Sequence, residues 1–280
     1  MNTSKVWYIT GASRGLGLTL VKKLLDSGYR VAATSRNAQA LKEAVGLVDA
    51  ERFLPLAVDP GNADGIGESV RQTMNAFGQI DVLVNNAGYG MAGTVEEVAG
   101  QAVRDIFEVN VLAAIGTTKN ILPVMRAQRA GYIMNIGSVA GFAGAPGWAV
   151  YSATKAALAA FSEVLALDVQ EFGIRVTVVE PSGFRTGFLT AGSLDYTESK
   201  IEGYQAVKEA QARYLAANGR QPGDPERAAE ILVRLYESGP APVHLYLGRD
   251  AYNRASEKLK AMMEEIEAWK DVAVSADFRE

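Results

Sequence analysis

The chain has 280 residues, of which 48% are hydrophobic and 21% charged. These proportions are typical of a globular protein and exclude disorder throughout. The formal net charge of −4 argues against nucleic acid or anionic lipid as a partner, because both require clustered positive charge. The absence of cysteine and the single histidine, His244, exclude disulfides and cysteine nucleophiles, and we predict no metal site.

The N-terminal segment and the apolar runs indicate where the protein is located. Residues 1–15 contain too short an apolar run for a secretion signal. No window reaches the roughly 18 apolar residues of a membrane-spanning helix. We therefore expect a cytoplasmic protein.

Short apolar runs alternate with helical periodicity along most of the chain. The predicted strands are 5–10, 30–35, 52–59, 80–88, 131–138, 174–181 and 242–248. The predicted helices are 15–27, 37–49, 62–78, two pieces within 94–129, 150–171 and one that begins at Asp224 and Pro225. This pattern is typical of a parallel sheet whose strands are buried on both faces. We predict an α/β fold: one Rossmann-like, doubly wound parallel sheet of about seven strands, with helices on both faces.

The alternation breaks in two places. Between Gly183 and about Ala229 no clear strand is predicted, and we expect a substrate flap at about 187–220 within a domain that spans 1–250. Residues 251–280 are predicted to form a helical extension that packs on the same domain. Its apolar stripe consists of Leu259, Met262, Met263, Ile266 and Trp269. His244 lies on the last strand, where we expect a structural or surface role.

A glycine-rich loop joins the first predicted strand to the first helix. Gly11, Gly15 and Gly17 have the spacing G-x-x-x-G-x-G, not the G-x-G-x-x-G of the general dinucleotide fingerprint. Glycines here allow a tight turn and let backbone N–H groups approach a pyrophosphate at the helix N-terminus. The loop therefore indicates a dinucleotide site.

The ends of the next two strands indicate which dinucleotide binds. The acidic residue that would bind the ribose 2′-hydroxyl of NAD is replaced by Ser35, followed by Arg36. Arg36 and Arg14 can bind a 2′-phosphate through charge-assisted hydrogen bonds, which favours NADP(H). Asp59 can accept a hydrogen bond from the adenine amino group, although a turn or N-cap role is nearly as well supported.

Several motifs occur in a characteristic order: TGASRGLG at 10–17, Asp59, NNAG at 85–88, Asn110, Ser138, YSATK at 151–155 and the segment 181–186. This ordered set resembles the short-chain dehydrogenase/reductase family over about residues 4–250. The resemblance implies a catalytic group of Asn110, Ser138, Tyr151 and Lys155. It also implies that Lys155 binds the nicotinamide ribose and that Asn110 holds a water connecting Lys155 to solvent.

The spacing of Tyr151 and Lys155 has a direct chemical meaning. Residues four apart share one helix face, and a nearby ammonium would lower the tyrosine pKa from about 10. In a reduction, Tyr151 would then donate a proton to the carbonyl oxygen. Ser138 would hydrogen-bond the same oxygen and position it.

The resemblance assigns the cofactor contacts mainly to the loops at the strand ends. They are Gly11, Ser13, Arg14, Gly15, Leu16, Gly17, Ser35, Arg36, Asp59, Pro60, Asn86, Ala87, Gly88, Tyr151, Lys155, Pro181, Ser182, Gly183, Phe184 and Thr186. One position departs from the family pattern, because Ser182 stands where family members commonly have glycine after Pro181. Gly183 follows at once, so we expect the backbone near Phe184 to meet the nicotinamide amide and Thr186 to bind the carboxamide or a phosphate.

Apolar and aromatic residues near the catalytic group predict a hydrophobic substrate. They are Tyr89, Val139, Phe142, Trp148 and Phe188. We therefore expect an NADPH-dependent oxidoreductase that interconverts a ketone or aldehyde and an alcohol. The alternatives are a 3-oxoacyl-thioester reductase and a catalytically silent NADP-sensing protein. The helices around 107–129 and 150–171 carry surplus apolar surface, which predicts a homodimer or tetramer. We expect no nucleic acid or membrane partner.

Overall fold

The computed structural model describes residues 4–278. The strands are β1 (Val6–Ile9), β2 (Arg30–Ser35), β3 (Phe53–Ala57), β4 (Val82–Asn85), β5 (Gly90–Ala92), β6 (Gly131–Ile136), β7 (Ile174–Pro181), β8 (Leu194–Tyr196) and β9 (His244–Leu247). The helices are α1 (Gly15–Asp26), α2 (Ala38–Val45), α3 (Ala63–Phe77), α4 (Gly100–Phe107), α5 (Ala113–Gln128), α6 (Ala149–Asp168), α7 (Gln205–Ala216), α8 (Pro225–Glu237), α9 (Arg249–Ala268) and α10 (Lys270–Val274).

Seven of these strands form one parallel sheet in the order β3-β2-β1-β4-β6-β7-β9. Alternate side chains of β1 point to opposite faces. Trp7 and Ile9 pack with α1, α2 and α8, whereas Tyr8 packs with α3, α5 and α6. The prediction of a doubly wound sheet with helices on both faces is confirmed.

The strand order reverses beside β1, which has β2 on one side and β4 on the other. In such sheets, ligands bind in the crevice outside the carboxyl ends of the strands at this switch point. The loops after β1, β2 and β4 all leave the sheet at this edge. The topology therefore brings the predicted cofactor motifs together.

The flap is more regular than the sequence predicted. Strand β8 pairs with β5, with Gly90 opposite Leu194, and α7 follows. The expectation that this segment lacks a strand was wrong, because a three-residue strand is too short to show a periodicity. Helix α7 gave a weak signal because its buried face is only Val207, Ala210 and Gln211.

The C-terminal extension is helical as predicted, but most of it does not pack on the domain. Ala251 and Ala255 are buried, whereas Leu259, Ile266 and Trp269 are 51%, 61% and 63% exposed. The prediction that the whole stripe packs on the domain was wrong. A 20-residue helix is about 30 Å long, and α9 extends beyond the surface that its first two turns contact.

Helix α6 is the one helix among residues 4–278 that is long and apolar enough to cross a bilayer, with a mean hydropathy of 1.2 over its best window. Its buried Tyr151, Lys155, Leu158 and Leu165 and its packing against β7 are those of a core helix. Only 33% of that window is buried, so its apolar composition comes from surface residues such as Val164 and Leu167 as well as from the core.

Candidate active site

A cavity of about 580 Å³ lies at the switch point of the sheet. The predicted cofactor residues that line it are Gly11, Ser13, Arg14, Ser35, Arg36, Asp59, Pro60, Ala87 and Gly88. Tyr89, predicted for the substrate, also lines it. Gly192 and Asp195 of the flap complete the wall and were not predicted. The structure thus brings the ends of β1, β2, β3 and β4 to one cavity.

The glycine loop is fixed against the loop after β4. The Asn86 side-chain amide donates to the backbone oxygens of Thr10 and Gly11, both at 2.9 Å. The Thr10 hydroxyl accepts from the backbone N–H groups of Asn86 and Ala87, both at 3.0 Å. Gly11 has φ +64°, and a Cβ there would lie 2.6 Å from the Ala87 Cα. Only glycine fits this position. Thr10 belongs to the predicted motif, but the sequence assigned no role to its side chain.

The N-terminus of α1 has the features of an anion site. Arg14 is its N-cap residue and makes no side-chain capping hydrogen bond, which leaves the first N–H groups of the helix to a ligand. Gly17 is buried, and a Cβ there would lie 2.4 Å from the Asn86 Nδ2 atom. The loop, the bare helix end and the cavity together fit a dinucleotide pyrophosphate.

The end of β2 differs in one respect from the expectation. The Ser35 hydroxyl donates to the Asn37 backbone oxygen at 2.6 Å and accepts from the Asn37 N–H at 3.2 Å. It therefore shapes the turn before α2 and is not free for a phosphate. Arg36 is exposed beside the cavity, and the Arg14 guanidinium donates to the backbone oxygen of Gly192 in the flap.

Asp59 has the turn role that was weighed from the sequence and lies at the cavity. Its carboxylate accepts from the Gly61 N–H at 3.1 Å, which is a turn role. It also lines the cavity, where a second oxygen can accept a hydrogen bond from a ligand.

The four predicted catalytic residues come from three elements that meet beside this cavity. Tyr151 and Lys155 are buried on α6. Ser138 follows β6, and its hydroxyl accepts from the Ala140 N–H at 3.1 Å. The Lys155 Nζ atom donates to the Ile136 backbone oxygen at 2.7 Å, so the end of β6 fixes both Ser138 and Lys155.

Asn110 lies in a π-helical turn, Glu108–Leu112, between α4 and α5. Its amide nitrogen donates to the Tyr89 backbone oxygen at 3.0 Å and to the Thr154 hydroxyl at 3.1 Å. Its amide oxygen accepts from the Tyr89 N–H at 3.0 Å. Such turns occur frequently at functional sites. A Cβ on Gly88 would lie 3.0 Å from Asn110 Oδ1 and 3.5 Å from Lys155 Nζ, so Asn110 and Lys155 both flank this glycine.

Burial controls the protonation of the two central groups. It raises the pKa of Tyr151 to about 12, with the Ser138 hydrogen bond acting in the opposite direction. Burial also lowers the pKa of Lys155 to about 8. The expectation that the ammonium lowers the tyrosine pKa was wrong, because desolvation of the phenolate raises this pKa.

Aromatic rings surround Tyr151. The ring centres of Trp148 and Phe188 lie 5.5 and 5.9 Å from that of Tyr151. Tyr214 of α7 lies 5.1 Å from Trp148 and was missed because α7 was missed. Of the other residues predicted for the substrate, Val139 is buried, at 1% exposed, and the Phe142 ring packs on that of Tyr246 of β9 at 5.7 Å.

The segment 181–186 follows β7 and is not among the residues that line this cavity. The backbone of Ser182 donates to the Leu247 oxygen at 3.2 Å, and the Gly183 oxygen accepts from the Gly223 N–H at 3.0 Å. Leu16 and Phe184 pack against the core. Thr186 does lie beside the glycine loop, since a Cβ on Gly15 would be 3.6 Å from the Thr186 Cβ.

His244 has the structural position that was expected. Its Nδ1 atom is 2.9 Å from a carboxylate oxygen of Glu180 on β7, and its Nε2 atom is 3.0 Å from one of Glu163 on α6. The imidazole therefore links the edge strand β9 to its neighbouring strand and to the helix above.

Comparison with known proteins gives a consistent result. A family model described as short chain dehydrogenase matches residues 5–196. A 3-ketodihydrosphingosine reductase from Bacteroides thetaiotaomicron is 35% identical over 212 residues, which are 73% of this chain and 76% of that one.

Two solved structures are also similar. A short-chain dehydrogenase from Streptomyces avermitilis has a TM-score of 0.89 and 34% identity, covering 98% of this chain and 100% of that one. The 3-ketoacyl-(acyl-carrier-protein) reductase from Brucella melitensis, complexed with NADH, has a TM-score of 0.71 and 25% identity. It covers 86% of this chain and 95% of that one.

Proposed function

The chain belongs to the short-chain dehydrogenase/reductase family, an oxidoreductase family that binds a nicotinamide cofactor, and we propose that it uses NADPH to interconvert an apolar ketone or aldehyde and an alcohol. One observation carries this proposal. Ser138, Tyr151 and Lys155 converge beside a dinucleotide-sized cavity, and the phenol is surrounded by aromatic rings.

The preference for NADPH rests on charge at the adenosine end. No carboxylate follows β2, and the exposed Arg36 presents a planar set of donors there. Arg14 adds a second positive charge from the glycine loop. Ser35 contributes by being neutral and by fixing the turn, not by binding phosphate itself. The Brucella relative was solved with NADH, so the preference must be measured against both cofactors.

We assign the proton transfer to Tyr151. When bound, the nicotinamide supplies the hydride that reduces the carbonyl carbon. Tyr151 gives its proton to the carbonyl oxygen, and Ser138 hydrogen-bonds that oxygen and the phenol in turn. Because burial raises the pKa of Tyr151 to about 12, the phenol is protonated at neutral pH, as a reduction requires.

Lys155 and Asn110 are proposed to return a proton from solvent to Tyr151 after it has donated its own. The Lys155 ammonium already donates to Ile136, which leaves two further protons for the nicotinamide ribose and for a water. Asn110 is positioned by Tyr89 and Thr154, so its carbonyl oxygen has a fixed direction near Lys155. Thr154 is thus a positioning residue that acts through Asn110.

The substrate is proposed to be apolar because aromatic side chains pack around the Tyr151 phenol. Trp148 and Phe188 each pack against Tyr151, and Tyr214 packs against Trp148. The Bacteroides relative is named for a long-chain amino ketone, which agrees with an apolar wall. Helix α7 carries Tyr214, so the flap contributes directly to this surface.

A 3-oxoacyl-thioester reductase is the second candidate, favoured by the name of the Brucella relative. Binding of an acidic carrier protein would require positive charge at the mouth of the site. Residues 187–220 contain four basic and four acidic residues, so the flap has no net positive charge. This balance places the thioester second.

We also propose a cytoplasmic location. Self-association is proposed through α5 and α6. Leu112, Val164 and Leu167 beside and on these helices are 53%, 57% and 73% exposed. Burial of such side chains between two copies would stabilise a homo-oligomer at roughly 25 cal/mol per Å² of apolar area.

The test is a comparison of NADPH and NADH oxidation with a set of ketones, aldehydes and acetoacetyl thioesters, using wild-type protein and the Tyr151→Phe variant. We expect turnover of apolar ketones with NADPH, at least about tenfold more efficient than with NADH. Tight NADPH binding without turnover of any carbonyl would support the silent sensor instead. Preference for the thioesters would support the second candidate.

A further inference from the structure

Helix α9 carries an exposed apolar stripe that continues a buried one. Ala251 and Ala255 are buried against the domain, and residues three to four positions apart share a helix face. The same face continues into the tail stripe, which consists of Leu259, Met262, Met263, Ile266 and Trp269. Three of its members, Met263, Ile266 and Trp269, are more than 60% exposed. A surface of this kind is typical of an interaction site.

Charged residues flank the tail stripe in a self-complementary order. Lys258 and Lys260 flank Leu259, and Glu265 and Glu267 flank Ile266. No ion pair found within residues 4–278 involves Lys258, Lys260 or Glu265. Glu267 has a 3.7 Å contact with Lys270 in which both side chains are exposed, and such a pair contributes little.

We propose that α9 pairs with α9 of a second copy of this chain, antiparallel and centred between Met262 and Met263. The two-fold axis of such a pair brings the same flank of both helices together. Leu259 then meets the partner's Ile266 across the stripe. Lys258 meets the partner's Glu265 on one flank, and Lys260 meets the partner's Glu267 on the other.

This occupant fits the surface better than a membrane or a parallel pair. Residues 257–271 contain three lysines and five acidic residues, which opposes binding to anionic lipid. A parallel pair would place lysines beside lysines and glutamates beside glutamates. The antiparallel pair instead places Leu259 opposite the partner's Ile266 and the lysines of each flank beside the partner's glutamates, about one centre.

Cysteine cross-linking tests the geometry directly, because the chain has no cysteine of its own. In the full-length protein, Met262→Cys is placed at the proposed centre, and Ala261→Cys, which lies outside the tail stripe, is the matched control. We expect Met262→Cys to form covalent dimers about tenfold faster or more than Ala261→Cys under mild oxidation. Equal rates would overturn the proposal.

Two further variants determine the direction of pairing. Leu259→Cys alone should link slowly, and Leu259→Cys combined with Ile266→Cys should link fast, because these positions meet only in the antiparallel arrangement. Fast linking by Leu259→Cys alone would show a parallel pair. The readout is independent of turnover and of contacts through α5 and α6, so it does not depend on the proposed function.

Charge reversal provides a second arm in the Met262→Cys background. Lys258→Glu with Lys260→Glu should slow linking several-fold at low salt, and the addition of Glu265→Lys with Glu267→Lys should restore it. A linking rate that neither set of charge changes alters would contradict the pairing of lysines with the partner's glutamates. Binding of the Met262→Cys chain to phosphatidylserine vesicles, with slower linking in their presence, would assign the stripe to a membrane instead.

Discussion

The Nζ atom of Lys155 lies 5.8 Å from the centre of the Tyr151 ring, and both side chains are buried. Burial raises the pKa of the phenol to about 12 and lowers that of the ammonium to about 8. Each shift favours the neutral form of its group. The Tyr151 phenol therefore stays protonated and can act as an acid. Burial of the positive charge of Lys155 lowers the free energy of unfolding.

That cost predicts a pH-dependent gain in stability for Lys155→Met. The pKa of Lys155 is about 8 in the folded chain against an ordinary 10.5, so the unfolded chain binds more protons between these values. The free energy of unfolding of the wild type should therefore rise with pH between about 8 and 10.5, relative to that of the variant. We expect Lys155→Met to melt a few degrees higher than wild type at pH 7, with the difference shrinking by about pH 10.

Turnover and NADPH affinity of Lys155→Met provide the functional control for this prediction. Both should fall, because the ammonium serves the phenol and the ribose together. A wild-type chain that is more stable than the variant at every pH would show that the hydrogen bond to Ile136 outweighs the burial of the charge.

Cofactor selectivity should reverse in Ser35→Asp combined with Arg36→Ser. The new carboxylate would repel a 2′-phosphate and accept a hydrogen bond from a 2′-hydroxyl, while the loss of Arg36 removes its donors. We expect the ratio of kcat/KM for NADPH to that for NADH to change from above to below one. Arg36→Ser alone, which leaves the Ser35 turn intact, should reduce the ratio without reversing it. If the double variant still prefers NADPH, the selecting charges lie elsewhere.

Gly11→Ala should damage the cofactor site through sterics alone. Gly11 has φ +64°, and its added Cβ would meet the Ala87 Cα at 2.6 Å. We expect a loss of about 1–3 kcal/mol in the free energy of unfolding and weaker NADPH binding, measured by denaturant titration and by cofactor fluorescence. Gly100→Ala is the matched control, because a Cβ there meets nothing within 4 Å. Equal behaviour of both variants would mean that the two loops do not contact as described.

Local rules predicted much of the fold and the site. The alternation of buried runs and amphipathic segments predicted the sheet, and the spacing of Tyr151 and Lys155 placed both on one helix face. Contacts between distant segments could not be predicted in this way. The hydrogen bond of Asn110 to Thr154 and the packing of Tyr214 on Trp148 depend on how the helices pack.

Other differences come from competition between physical effects. The sequence predicted that Lys155 lowers the pKa of Tyr151, but the depth of burial, which a sequence does not display, decides the direction. Ser35 was predicted as a cofactor contact, but its hydroxyl is used by the turn at Asn37. The apolar stripe of α9 was correctly predicted as a helical face, whereas the domain edge that leaves it exposed depends on tertiary structure.

The rate of NADPH oxidation in a single turnover, with an apolar ketone and the cofactor bound in advance, tests the assignment of Tyr151 most directly. Tyr151→Phe removes only the phenol hydroxyl, so NADPH affinity should stay close to that of wild type. The rate should fall by about 10²–10⁴-fold, the usual contribution of a general acid. A variant that retains the wild-type rate within a few-fold would contradict the account, because another group or water would then donate the proton.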